Sequence, residues 1–312
     1  MSKAMSNKKA FLSYPKSNNL GDYIQSIATK EIIGENSIGL DRENLHIYNG
    51  PNVYLIMNGW FMQNSKNWPP SDKITPFFIS FHINPIAKDN LLSKKGLEYF
   101  QKYEPIGCRD MYTQNLLQKK GINSYFSGCL TLTLRNKKKD FKKEGVLIIG
   151  ALDRMKPKID LKNLFNELIK YPYKFFKYNR SKKRLDDFIL SKGFSKVTYK
   201  SQIIDLYKNV DKQRNLLANE QLNLIAKSKL VITSRLHVAL PAIAYGTKVI
   251  FLKDGLEHIN HQSRLKGISD YFYCCKSEDL NTLSLVDVKP KKNHRKIKKK
   301  LIESIDQFFK NK

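Results

Sequence analysis

Short apolar runs alternate along this chain with runs whose apolar side chains recur at helical spacing. That alternation restricts the fold more than any other feature. Ala10–Tyr14, Val53–Met57, Phe77–Ile83 and Pro105–Cys108 read as strands buried on both faces. Between and after them, Asp22–Ile33, Asn90–Tyr103 and Met111–Lys120 read as helices, with Gly121 stopping the last. Ser124–Ser127 and Leu130–Leu134 close the series. A polar, basic stretch follows, and then the pattern restarts. Val146–Gly150, Lys174–Tyr178, Lys196–Lys200, Leu230–Thr233 and Lys248–Leu252 are the expected strands. Leu161–Lys170, Lys183–Lys192, Gln213–Ser228 and Leu236–Tyr245 are the expected helices. Strand–helix alternation of this kind requires a parallel α/β sheet. Its restart predicts two Rossmann-like domains, 1–134 and 145–288, joined by a basic linker at 135–144. Ligands of such sheets lie beyond the carboxyl ends of the strands, so a cleft between the domains is the expected site.

At 312 residues the chain is long enough for two cores, and 41% hydrophobic residues can fill them. Lys and Arg number 56 against 28 Asp and Glu, a net charge of +28. Such a surface suits anionic partners and excludes an acidic solvating role. The longest mostly apolar stretch, 236–252, contains His237 and Lys248 and is too short and polar for a membrane span. No apolar core follows the lysines of Met1–Ala10, so no signal peptide is expected. Cys108, Cys129, Cys274 and Cys275 show no metal-ligand spacing, which predicts a reduced, cytoplasmic setting without structural zinc.

Four junctions carry candidate chemistry. In Lys229-Leu-Val-Ile-Thr-Ser-Arg-Leu-His237 a buried strand runs into a helix that Ser234 can cap, placing Arg235 and His237 in its first turn. Free backbone amides there favour an anion, Arg adds a two-pronged donor, and His can move a proton near neutral pH. The plainer alternative pairs Arg235 with a core carboxylate and buries His237. Asn18-Asn-Leu-Gly-Asp22 lies between the first strand and helix. Gly21 allows close backbone approach there, and Asp22 could be a cap, a base or a hydroxyl ligand. Asn58-Gly59-Trp60 follows a buried strand, and an exposed Trp there suits a sugar, whereas a buried one is core. Arg109 and His82 both end strands, and each could equally be structural.

Gly21-Asp22-Tyr-Ile-Gln25-Ser-Ile-Ala28, Pro105-Ile-Gly-Cys-Arg-Asp-Met-Tyr-Thr113, Ser127-Gly-Cys-Leu-Thr-Leu-Thr-Leu134 and Ala226 to Pro241 resemble, in order, the blocks of the polysaccharide pyruvyl transferase family. The resemblance runs from about residue 10 to residue 275. It implies a GT-B-like pair of Rossmann-type domains with the acceptor on the N-terminal side and the donor on the C-terminal side. It also implies phosphoenolpyruvate as co-substrate, a saccharide acceptor (free, lipid-linked or nucleotide-linked) and a pyruvate ketal as product. Arg235 and His237 match the Arg-Leu-His signature associated with the donor, and Arg109 matches the Arg of the central block more loosely. Many members carry an acid where this chain has Cys129. On this resemblance His237 would supply the acid, and Asp22 or His82 would serve the acceptor. Arg235 and Arg109, with Ser234 and Gly21, would hold the donor, and Asn58, Gly59 and Trp60 the sugar. No redox cofactor or metal is required.

Two other readings remain open. A nucleotide-sugar glycosyltransferase would use Asp254-Gly-Leu-Glu257 against a ribose. A nucleic-acid-binding protein would use the charge alone, although its cations follow no known nucleic-acid motif, so no specific nucleic acid is expected. The last segment, 289–312, is dense in Lys and Arg, with Glu303 and Asp306 as its acids. Ile297, Leu301, Ile302, Ile305 and Phe308 recur in it at helical spacing. This basic helix should dock by its stripe against the N-terminal domain. Its charge could add salt-sensitive contact with an anionic membrane.

Overall fold

A computed structural model describes residues 8–136, 142–157, 164–205 and 211–312. Residues 137–141 of the expected linker and 161–163 of the expected helix Leu161–Lys170 lie outside it.

The first half forms β1 (Lys8–Ser13), α1 (Leu20–Ile33), β2 (Ile38–Asp41), β3 (Val53–Phe61), β4 (Ile74–Ile83), α2 (Lys88–Leu91), α3 (Lys94–Lys102), β5 (Ile106–Cys108), α4 (Met111–Gln118) and β6 (Ser124–Phe126). The second forms β7 (Glu144–Ile149), α5 (Leu164–Ser191), β8 (Val197–Lys200), α6 (Asp211–Lys227), β9 (Ser228–Thr233), α7 (Leu236–Ala244), β10 (Lys248–Leu252), α8 (Ile259–Leu265), β11 (Tyr273–Cys275) and α9 (Arg295–Lys310).

Among the described residues the strands make two separate parallel sheets, ordered β2-β1-β3-β4-β5-β6 and β11-β10-β9-β7-β8. The fold is therefore α/β with two Rossmann-like units. Each sheet reverses its strand order once, beside β1 in the first and β7 in the second. Chain leaving the carboxyl ends there diverges and opens a crevice.

The two units are closely fitted. Asn18 O accepts from Ile204 N at 2.8 Å, and Gln202 O accepts from Leu20 N at 2.9 Å. Leu20, Tyr23, Ile24 and Ala28 of α1 share a buried cluster with Ala218 and Leu222 of α6. A single helical turn, Leu130–Thr133, stands where an apolar run closes the first series. Its Leu132 joins the core of the second unit, while Leu130 faces Leu301 and Ile305 of α9. Helix α9 thus docks on the N-terminal sheet, burying Ile297, Leu301 and Ile305 and stacking Phe308 on Phe77 at 4.5 Å.

Three features differ from the sequence reading. Lys174–Tyr178 is not a strand but part of α5. Tyr171 and Phe175 stack at 6.1 Å, a contact that residues four apart make only on a helix. Asn90–Tyr103 is broken into α2 and α3, and Ser93 caps the second by accepting from Gly96 N. Strands β2 and β11 were not anticipated. Both are short edge strands with one neighbour, and neither has the apolar run of a central strand.

Candidate active site

The carboxyl ends of both sheets border one cleft of about 480 Å³. Tyr14, Lys16, Asn19 and Asp22 reach it from the β1–α1 junction, and Trp60 from the end of β3. Arg109 comes from the position just after β5, Arg154 from the turn after β7, and Ser234, Arg235 and His237 from the β9–α7 junction. His261 and Arg264 come from α8. Of the residues singled out in the sequence, Asp22, Trp60, Arg109, Ser234, Arg235 and His237 therefore meet at one place. Gly21, Asn58, Gly59 and His82 do not line it.

Gly21, Gly59 and His82 each have a visible structural task. A Cβ on Gly21 would lie 3.0 Å from the His237 Cβ and 2.6 Å from the Gln202 side chain, so Gly21 lets α1 pack on the other unit. Gly59 has φ +86°, and a Cβ there would meet the Tyr14 hydroxyl at 2.8 Å. Asn58 is buried toward the end of β3, 2% exposed. His82 is fully buried. Its Nδ1 sits 2.6 Å from Asp110 Oδ2, and Asp110 also caps α4 through Thr113 N at 2.9 Å. Burial lowers the His82 pKa to about 4 despite Asp110, so the imidazole is neutral. Its distance from the cleft wall removes it from direct contact with a ligand there.

Ser234 does not cap α7. Its hydroxyl is turned back onto the Ala151 and Leu252 carbonyls, tying together the ends of β7, β9 and β10. Arg235 takes the cap position, and Thr233 Oγ1 accepts from its amide at 3.0 Å. The cation is partly matched: Arg235 Nη2 lies 3.1 Å from Asp153 Oδ2. Gly150, at φ +58°, leaves room for that guanidinium, since a Cβ would sit 2.7 Å from Arg235 Nε.

Arg109 is 1% exposed, and its Nε and Nη2 have no hydrogen-bond partner among the described residues. Its nearest acid, Asp110, lies 3.6 Å away and is engaged by His82. Cys129, near Arg109, is a buried thiol whose pKa burial raises. It therefore stays neutral and offers Arg109 no counter-charge. Arg264 Nε is likewise unpartnered, and burial together with Arg109 and Arg154 pulls its pKa down to about 10. Burial and the same two charges, Arg109 and Arg264, hold His237 neutral, well below its usual pKa, with Nε2 unpartnered. Burial, Arg154 and Arg264 bring His261 to about 4.

Opposite this cationic wall stands Asp22, which accepts from Ser17 Oγ at 2.6 Å and Gln25 Nε2 at 3.3 Å. Trp60 is covered by Arg42 at 4.2 Å from its ring centre, and Arg264 lies 5.9 Å from it. Arg42 is itself matched by Glu43 at 2.6 Å. A buried cation as poorly matched as Arg109, with half-buried Arg264 beside it, is costly unless a ligand supplies the anion. The arrangement can hold a small polyanion beside an imidazole and a carboxylate.

Arg42, Arg154, His261 and Arg264 escaped the sequence reading. Arg264 had one available signal. His258 to Arg264 follow β10 at its carboxyl end, where a ligand of this fold is expected. Asp254, which a ribose-binding alternative would need, is buried and spends its carboxylate on Ser277, 2.8 Å from the amide and 2.7 Å from the hydroxyl.

The chain is 12% identical to a Methanocaldococcus jannaschii UDP-GlcNAc 2-epimerase solved with UDP-GlcNAc and UDP. The alignment covers 97% of this chain and 100% of that one, with a TM-score of 0.36. Among curated proteins none matches. A family model described as polysaccharide pyruvyl transferase matches residues 19–254, from the cap of α1 to the turn after β10, and so takes in both sides of the cleft. By that match the chain belongs to the polysaccharide pyruvyl transferase family.

Proposed function

We propose that the protein moves the pyruvyl group of phosphoenolpyruvate onto two hydroxyls of a saccharide, forming a ketal and releasing phosphate. The observation that carries this is the pair Arg109 and Arg264, with Nε and Nη2 of the first and Nε of the second lacking hydrogen-bond partners beside a neutral His237. The donor carries a carboxylate and a phosphate on adjacent atoms, and such a ligand needs several converging cationic donors. Arg109 and Arg264 take part of that charge, and Arg235, backed by Asp153, takes the rest.

The donor's negative charge offsets the two arginines that depress His237, so binding draws a proton onto the imidazole. His237 then gives that proton to the methylene carbon. The first sugar hydroxyl adds to the neighbouring carbon and loses its proton to Asp22, the phosphate leaves, and the second hydroxyl closes the ketal. The protons balance: one of the two hydroxyl protons ends in the new methyl group and the other departs with phosphate. Trp60 and Asp22, on the N-terminal side, form the acceptor wall. The four cysteines are free thiols, in keeping with a reducing cytoplasmic setting.

The test is incubation with phosphoenolpyruvate and a panel of free, nucleotide-linked and lipid-linked saccharides. Phosphate release should match, mole for mole, a pyruvyl mass gain on one sugar. Stabilisation by UDP- or GDP-sugars, with none by phosphoenolpyruvate, would return the nucleotide-sugar alternative.

A further inference from the structure

Among its described side chains, helix α5 is buried only from Ser181 onward. Ser181, Leu185, Phe188 and Ile189 are buried against the second sheet and the turn Ser277–Thr282, whereas no residue from 169 to 180 is buried. In the stretch 169–180, Ile169, Tyr173 and Phe176 recur at helical spacing and are 64%, 69% and 65% exposed. Lys170, Lys174, Lys177, Arg180, Lys183 and Arg184 surround them, and no acid stands between Ile169 and Leu185. An apolar patch of this kind, left in water, marks a contact surface.

We propose that residues 169–180 of α5 lie in the interface of an anionic lipid bilayer. Charge selects this occupant: a one-signed cationic flank around an apolar row complements a plane of anionic headgroups. Tyr, Phe and long Lys stems suit the boundary between acyl chain and water. No described helix is long and apolar enough to cross a membrane, so the helix rests on the surface. The other basic helix, α9, has its apolar stripe buried against the N-terminal sheet and can add charge alone.

The surface connects to the cleft. Ser181 Oγ of α5 bonds Ser277 Oγ at 3.0 Å. The preceding residue, Lys276, borders a groove of about 540 Å³ that shares Leu256 and Leu265 with the cleft. If the saccharide-acceptor reading holds, a sugar carried on an anionic lipid would reach Trp60 along this side.

The test is co-sedimentation of the full chain with phosphatidylglycerol-containing and pure phosphatidylcholine vesicles at low and high salt. It needs no donor or acceptor, so its outcome is independent of the reaction. Binding is expected on the anionic vesicles at low salt. It should fall about tenfold or more in Ile169→Ser/Tyr173→Ser/Phe176→Ser and in Lys170→Glu/Lys177→Glu, and less than about threefold in Lys296→Glu/Lys300→Glu of α9. Thermal melting checks that each variant is folded, and the charge pair decides the matter should the serine variant not fold. Unchanged vesicle binding in the α5 variants would overturn the proposal. So would self-association or RNA binding that the α5 variants abolish while the wild type ignores vesicles.

Discussion

Arg109 and Arg264 are expensive residues for an unliganded protein. Nε and Nη2 of Arg109 and Nε of Arg264 lack hydrogen-bond partners, and Arg109 raises the cost of charging Arg264. Binding and stability should therefore respond in opposite directions when one is removed. Arg264→Met should weaken phosphoenolpyruvate binding by ~1.5–3 kcal/mol in calorimetry, the range for a hydrogen bond to a charged group. The same variant, without ligand, should melt no lower than the wild type, because a repelling charge is gone. A lower melting point would make Arg264 a structural cation. His237 makes the complementary case. His237→Asn should keep most of the donor affinity while turnover falls roughly 10²–10⁴-fold, the usual share of general acid catalysis. Near-normal turnover would take His237 out of the mechanism.

Helices and strands in this chain differ in how openly the sequence declares them. Strands β3, β9 and β10 are central, and nearly every residue of them is buried. They read as continuous apolar runs for that reason. Edge strands β2 and β11 need only one neighbour and left no comparable run. Residues 174–178, Lys-Phe-Phe-Lys-Tyr, are short and aromatic enough to fit a strand as well as a helix, so sequence alone does not separate the two there. The β9–α7 junction was legible because strand, Arg and His are contiguous. Arg264 and Arg154 were not, because they join the site through folding. For α9 the sequence stripe and the packing agree, which permits a quantitative test. Leu301 is 1% exposed among Ile56, Ile79 and Leu130. Leu301→Ala should cost about 2–4 kcal/mol in denaturant unfolding, as for other buried leucines. Lys300→Ala, on the exposed face, should stay within about 0.5 kcal/mol.

The whole molecule carries +28 and keeps His237 and His261 in the cleft, and His82 behind it, neutral. His82 and His261 sit at about 4, and His237 is well below its usual value, in each case through burial first. The unfolded chain protonates the same groups near pH 6.5. Because the folded values are the lower ones, the unfolded state binds more protons as pH falls. The contribution is thus complete above about pH 6.5 and is lost progressively toward pH 4. Melting temperature should fall over that window. An anion in the cleft opposes the arginines that depress His237 and His261, raises their values and binds more tightly as they become protonated. Sulfate separates this effect from titration of the ligand, since its charge is constant over the range. Its stabilisation of the protein should be larger at pH 6 than at pH 7.5 in paired thermal melts, and His237→Asn should shrink the difference. Equal shifts at the two pH values would mean that the histidines do not sense the bound anion. His237 would then have no proton to gain from the donor's arrival, and the proposed coupling between binding and protonation of the methylene carbon would fail with it.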